Sequence, residues 1–160
     1  MSEARAQLGN LAGQWTGTKK LWMMPGTPAT ECSSSAVIAP EAGGRAMAVR
    51  YTWESDGKPC EGLLLVRMAT SPSDADLVWM DSWHQPELFL LCPATDDAES
   101  LIAGRGSYAA PPGPDWGWRI ALQSQGPDDF RIVMHNITPD GQEALAVEAV
   151  YTRAKENENS

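Results

Sequence analysis

Apolar and polar residues alternate along most of this chain in short runs, each ended by Gly, Pro, Asn or Asp. A period of two is the mark of strands with one buried face, because successive side chains point to opposite sides. Ten such runs are predicted: Gly13–Trp22, Thr30–Ala39, Arg45–Glu54, Cys60–Ala69, Leu77–His84, Glu87–Cys92, Leu101–Tyr108, Trp116–Gln123, Phe130–Thr138 and Glu143–Arg153. Only Glu3–Leu8 has the spacing of a helix, and a short one. Asp56-Gly57 and Asp140-Gly141 are hairpin signals, since both residue types tolerate positive φ. The prolines of Ala110–Asp115 exclude that stretch from a sheet interior.

Short connections favour sequential antiparallel pairing, because parallel pairs need long crossovers. An all-β, antiparallel up-and-down β-barrel of about ten strands with a short N-terminal helix is therefore expected. A closed barrel also removes the two long edges of an open sheet; a sandwich of two sheets is the alternative. Residues 1–154 read as one barrel domain, and 155–160 as a disordered polar tail.

With 160 residues the chain is long enough to bury a core without staples. Its net charge of −9 repels phosphate backbones and anionic lipid, so neither nucleic acid nor a membrane is an expected partner. Cys32, Cys60 and Cys92 are odd in number and widely spaced, which disfavours a disulfide framework and suits a reduced, cytoplasmic protein.

Seven tryptophans in so small a domain change the picture from a mere core to a pocket. An indole buries a large apolar face yet keeps one N–H in need of a partner. Alternation groups Met47, Val49, Tyr51 and Trp53 on one face, Trp79 with Asp81 and Trp83 on another, and Trp116 with Trp118, Ile120 and Leu122 on a third. In the ninth run Phe130, Ile132, Met134 and Asn136 share a side; in the tenth, Leu145, Val147, Ala149 and Tyr151 share the side of Arg153, opposite Glu148. The candidate ligand-binding set is Tyr51, Trp53, Trp79, Trp83, Trp116, Trp118, Met134 and Arg153. Arg153 and Tyr151 at i, i+2 have the spacing to hold a ligand carboxylate; the competing reading is an outward Arg at the barrel rim whose stem covers apolar surface.

Asp81-Ser82-Trp83-His84 is the sharpest polar cluster. On a continuous strand Ser82 and His84 face away from Asp81, so the run is not a Ser–His–Asp triad, and no elbow glycines flank the serine. Asp81, with His84 and Tyr151, is the candidate acid/base set, the pKa of a carboxyl in an apolar pocket being raised by burial. The competing reading is a buried carboxylate satisfied by an indole or backbone donor. His84 and His135 lie on separate strands with no third ligand at ordinary spacing, so no metal or other cofactor is expected.

Several motifs in order resemble one family. Leu11-Ala12-Gly13-Gln14-Trp15-Thr16-Gly17 is similar to the G-x-W opening of calycin-type barrels. Asp81-Ser82-Trp83-His84, Trp116-Gly117-Trp118-Arg119, Asn136-Ile137-Thr138-Pro139-Asp140-Gly141 and the closing Tyr151-Thr152-Arg153 follow it. Together they resemble the bacterial family called domain of unknown function 1579, over nearly the whole chain. The resemblance implies a calycin-like barrel, related in shape to lipocalins and fatty-acid-binding proteins, with Trp15 plugging one end. It implies no activity.

Three functions follow as expectations. The first is binding of a small hydrophobic or aromatic molecule in an aromatic-lined cavity. The second is a cofactor-independent cyclase- or isomerase-type enzyme that folds a polyketide-like or other natural-product intermediate in that cavity, with acid/base help from Asp81. The third is an interaction protein whose barrel edge forms a homodimer. A polar pair inside the barrel, such as Asp81 beside a His or Tyr, favours the second.

Overall fold

The computed structural model describes residues 2–155; of the tail expected to be disordered, 156–160 lie outside the described residues. One helix, α1 (Glu3–Gly9), precedes β1 (Gly13–Leu21), β2 (Thr30–Glu41), β3 (Ala46–Ser55), β4 (Lys58–Arg67), β5 (Leu77–Asp81), β6 (Gln85–Cys92), β7 (Ile102–Tyr108), β8 (Trp116–Gln123), β9 (Asp129–Ile137) and β10 (Glu143–Arg153). All pairings are antiparallel, in the order β6-β5-β4-β3-β2-β1-β10-β9-β8-β7. The sheet curls into a nearly closed barrel. Its seam carries an Ala94–Gly104 bridge, and Pro93 O accepts from Arg105 N at 3.1 Å.

The hairpin signal at Asp56-Gly57 is used as expected, both residues having positive φ. Pro40, expected to end β2, instead lies inside it, opposite Met47 of β3. Its missing N–H costs nothing there, because β1 pairs with β2 only as far as Ile38.

The two barrel ends differ. At one end α1 is N-capped by Ser2, and Arg5 reaches the Arg67 carbonyl and lies 3.7 Å from Asp76. Trp15 is buried there, donating its indole N–H to Leu11 O at 2.9 Å and meeting Phe130 edge-on at 4.9 Å. This end is plugged. The other end gathers the C-terminal ends of β1, β3 and β5 and the N-terminal ends of β8 and β10. Most of the remaining tryptophans collect around this mouth.

Two stretches depart from simple alternation. β5 stops at Asp81, and Ser82–His84 form a turn rather than a continued strand. β10 carries a bulge between Leu145 and Val147, so Leu145 pairs with outward His135 while Val147 pairs with inward Met134. Leu145 therefore does not share the face of Val147, Ala149 and Tyr151.

Candidate functional site

Asp81 ends β5 and is 1% exposed. Its Oδ1 accepts the backbone N–H groups of Trp83 at 2.9 Å and His84 at 3.1 Å. This is the Asx-turn geometry, and it bends the chain out of the strand at Ser82. The bend corrects the expected facing: His84 returns to the barrel interior on the side of Asp81, with its ring Nδ1 3.4 Å from Oδ1. Trp83, expected to point inward beside Asp81, lies at the mouth and is 40% exposed.

Oδ2 of Asp81 accepts from Tyr51 Oη at 2.7 Å and from Trp53 Nε1 at 3.2 Å. Tyr51 in turn accepts the Trp79 indole N–H at 2.9 Å. Register makes this reach work, because Tyr51, Gly62 and Asp81 are cross-strand neighbours on β3, β4 and β5. The Tyr51 ring lies across Gly62, where a Cβ would come within 1.9 Å of its Cζ. Any side chain at position 62 would push the phenol off the carboxylate.

Burial raises the Asp81 pKa, but the hydrogen bonds from His84 and Tyr51 and the His84 backbone N–H outweigh it. Asp81 is therefore held well below the ordinary carboxylate range, the reverse of the raised value expected for an acid in an apolar pocket. An ionised carboxylate only accepts, so the His84 proton sits on Nδ1 and Nε2 keeps its lone pair. Burial, followed by the Lys19 charge, lowers the His84 pKa against the opposing pull of Asp81, favouring the neutral ring.

Lys19 is the interior cation that the sequence reading missed. It is 2% exposed, with Nζ 3.2 Å above the Trp53 ring. Burial lowers its pKa to about 8, although Asp81 pulls the other way. Its position was readable, since alternation along β1 places Lys19 on the face of Trp15, Gly17 and Leu21.

The indoles do not surround one common cavity. Trp79 is buried and stacks on Trp118 at 5.4 Å, and Trp53, Trp79, Trp83 and Trp118 all pack around the His84 ring. Two cavities open beside this cluster at the mouth. One, of about 230 Å³, is walled by Trp22, Met23, Met24, Trp83, His84, Trp116 and Trp118. The other, of about 430 Å³, is lined by Lys19, Leu21, Cys32 and Trp53, with Glu54 and Asp56 among its rim residues. Leu21, Met23 and Trp83 line both.

The remaining candidates lie elsewhere. Tyr151 bonds Ser34 Oγ at 2.7 Å and stacks on Phe130 at 4.5 Å, with no hydrogen bond to Asp81 or His84. Met134 is buried core that touches neither mouth cavity. Arg153 is at the plugged end, 4.4 Å from the Trp15 ring, donating to the carbonyls of Asn10, Ala12 and Pro127 and to Asp128. It fastens the helix to the barrel, so it does not form a carboxylate clamp with Tyr151 in the mouth. His135 faces outward beside Arg119 and Glu143, so the two histidines share no site. Among the described residues no group of three metal-ligating side chains comes together, and no helix is long and apolar enough to cross a membrane.

The model of a protein family of unknown function, DUF1579, matches residues 1–153. The chain belongs to DUF1579. The structure of this DUF1579 member is similar to the crystal structure of Rv2717c from M. tuberculosis, with a TM-score of 0.59 at 16% identity, covering 97% of this chain and 99% of that one. This likeness establishes the barrel fold. A de novo designed fluorescence-activating β-barrel gives 0.47 at 17% identity over 96% of this chain and all of its own. The siderocalin Ex-FABP gives 0.41 at 13% identity over 94% and 78%. No curated protein matches the chain.

Proposed function

We propose that this DUF1579 protein binds a small hydrophobic, aromatic molecule at the barrel mouth. The observation that carries this reading is the 230 Å³ cavity, whose wall includes four indoles and two thioethers. Planar rings of that kind offer stacking surface, and methionines adapt to shape. Trp83, half-exposed, lines both this cavity and the one beside Lys19. Calorimetric titration with 2-methylnaphthalene tests the reading. Binding that weakens about tenfold in Trp116→Ala, a loss of about 1.4 kcal/mol, is expected. Absence of binding at the ligand's solubility limit contradicts it.

A second reading is favoured by one specific observation, the Asp81–His84 pair inside the barrel. A neutral imidazole oriented by a carboxylate is a general base, which supports cofactor-independent isomerase-type chemistry. In that case His84 Nε2 takes a proton from carbon next to a carbonyl, and Asp81 holds the ring as a positioning residue. Exchange of the methyl protons of 2-acetonaphthone in D₂O should then be accelerated by the protein and lose roughly 10²–10⁴ of the effect in His84→Phe. Equal rates with and without protein rule this chemistry out for such ketones.

A further inference from the structure

Two polar atoms of the mouth cluster have no hydrogen-bond partner: His84 Nε2 and Trp118 Nε1. Both atoms are buried, and both side chains line the same 230 Å³ cavity. Buried polar atoms are nearly always paired, so two orphans on one wall mark a place where a partner fits. Their characters are opposite. The indole N–H only donates, and His84 Nε2 only accepts while Nδ1–H is engaged by Asp81. The cluster offers no other flexibility: Asp81 is saturated by five donors, Trp53 and Trp79 spend their N–H groups on Asp81 and Tyr51, and the Trp79–Trp118 stack fixes the second orphan in place.

One functional group satisfies such a pair at a single atom. A hydroxyl accepts through its oxygen and donates through its hydrogen, whereas an ether or ketone only accepts and an ammonium only donates. We infer that the ligand of this site is a hydroxylated aromatic, a phenol or naphthol, whose O–H donates to His84 Nε2 and accepts from Trp118 Nε1. Its ring lies in the cavity against Trp116, and its hydroxyl points down to the Asp81–His84 pair. Trp83 meets His84 edge-on at 4.5 Å and is the exposed ring of the set, so it moves aside to admit the hydroxyl without unpacking the core. Asp81 is then a positioning residue, which fixes the histidine tautomer and so sets which way the hydroxyl must face.

The inference rests on the binding reading above, and one experiment separates the two. Calorimetry with 2-naphthol and 2-methylnaphthalene compares ligands of nearly the same shape with and without the O–H. The unmodified protein should prefer 2-naphthol by about tenfold or more. The preference, taken as the ratio of the two affinities within each variant, should collapse in His84→Phe and in Trp118→Phe. Equal affinity for the two ligands overturns the hydroxyl assignment and leaves aromatic binding standing. A preference that survives both substitutions also overturns it. Failure of both ligands to bind overturns the binding reading itself. Because the first comparison uses the unmodified chain, a variant that does not fold leaves the test decisive. The indole ¹⁵N–¹H signal of Trp118 supplies a second readout: it should move further downfield with 2-naphthol than with 2-methylnaphthalene, whose ring current is nearly the same.

Discussion

A buried ammonium group with no carboxylate in ion-pairing distance among the described residues, as at Lys19, weakens the fold at neutral pH. Its folded pKa of about 8 lies below the ordinary 10.5, so between those values the unfolded chain holds a proton that the folded chain has released. Stability from this group therefore rises as pH goes from 8 to 10.5, by about 3 kcal/mol over the full interval. Cys92, Tyr51 and Tyr151 have raised pKa values and act in the opposite sense from about pH 9 upward. Comparing denaturant unfolding of the unmodified protein with Lys19→Met isolates the lysine: the variant should lack this rise. A difference between the two proteins that stays constant from pH 7 to pH 11 contradicts the buried-cation account. At this scale the sequence showed which residues matter better than what they do. Asp81 was identifiable as an interior carboxylate, but its five donors come from β3 and from the turn that follows β5, and no local pattern displays them. Lys19 was overlooked because lysine is ordinarily a solvated surface charge, although its alternation with Trp15 already placed it inside.

Between residues and the whole lie the turn and the plug. Ten strands were legible because alternation and turn chemistry are local, but the end of β5 was not. A strand that simply continues through Ser82-Trp83-His84 satisfies the same hydrophobic pattern; what ends it is the Asp81 side chain capturing two backbone N–H groups. That choice reverses the facing of Trp83 and His84 and so decides the candidate site. The β10 bulge displaced Leu145 in the same way, since a single extra residue flips every side chain beyond it. At the plugged end, Trp15 is fully buried, its N–H is held by Leu11, and Arg153 covers its ring. Trp15→Ala should cost roughly 3–5 kcal/mol in equilibrium unfolding, the range for deleting a large buried aromatic. A loss below about 1 kcal/mol would show that the plug is dispensable.

As a whole molecule, the barrel is closed at one end by α1, Trp15 and Arg153 and furnished at the other with aromatics around an Asp–His pair. That polarity follows from up-and-down topology, which sends alternate strand ends to opposite poles. It was implicit in the strand order, whereas the placement of Trp83 at the mouth depends on the turn after β5. The central claim is that the mouth, and not the plugged end or the outer wall, receives a small aromatic molecule. Indole ¹⁵N–¹H spectroscopy addresses it directly, because the seven tryptophans sample both poles. On titration with 2-naphthol the account predicts that the signals of Trp83, Trp116 and Trp118 move together and saturate, while that of Trp15 stays fixed. No saturable shift at the mouth, or a shift led by Trp15, would contradict it.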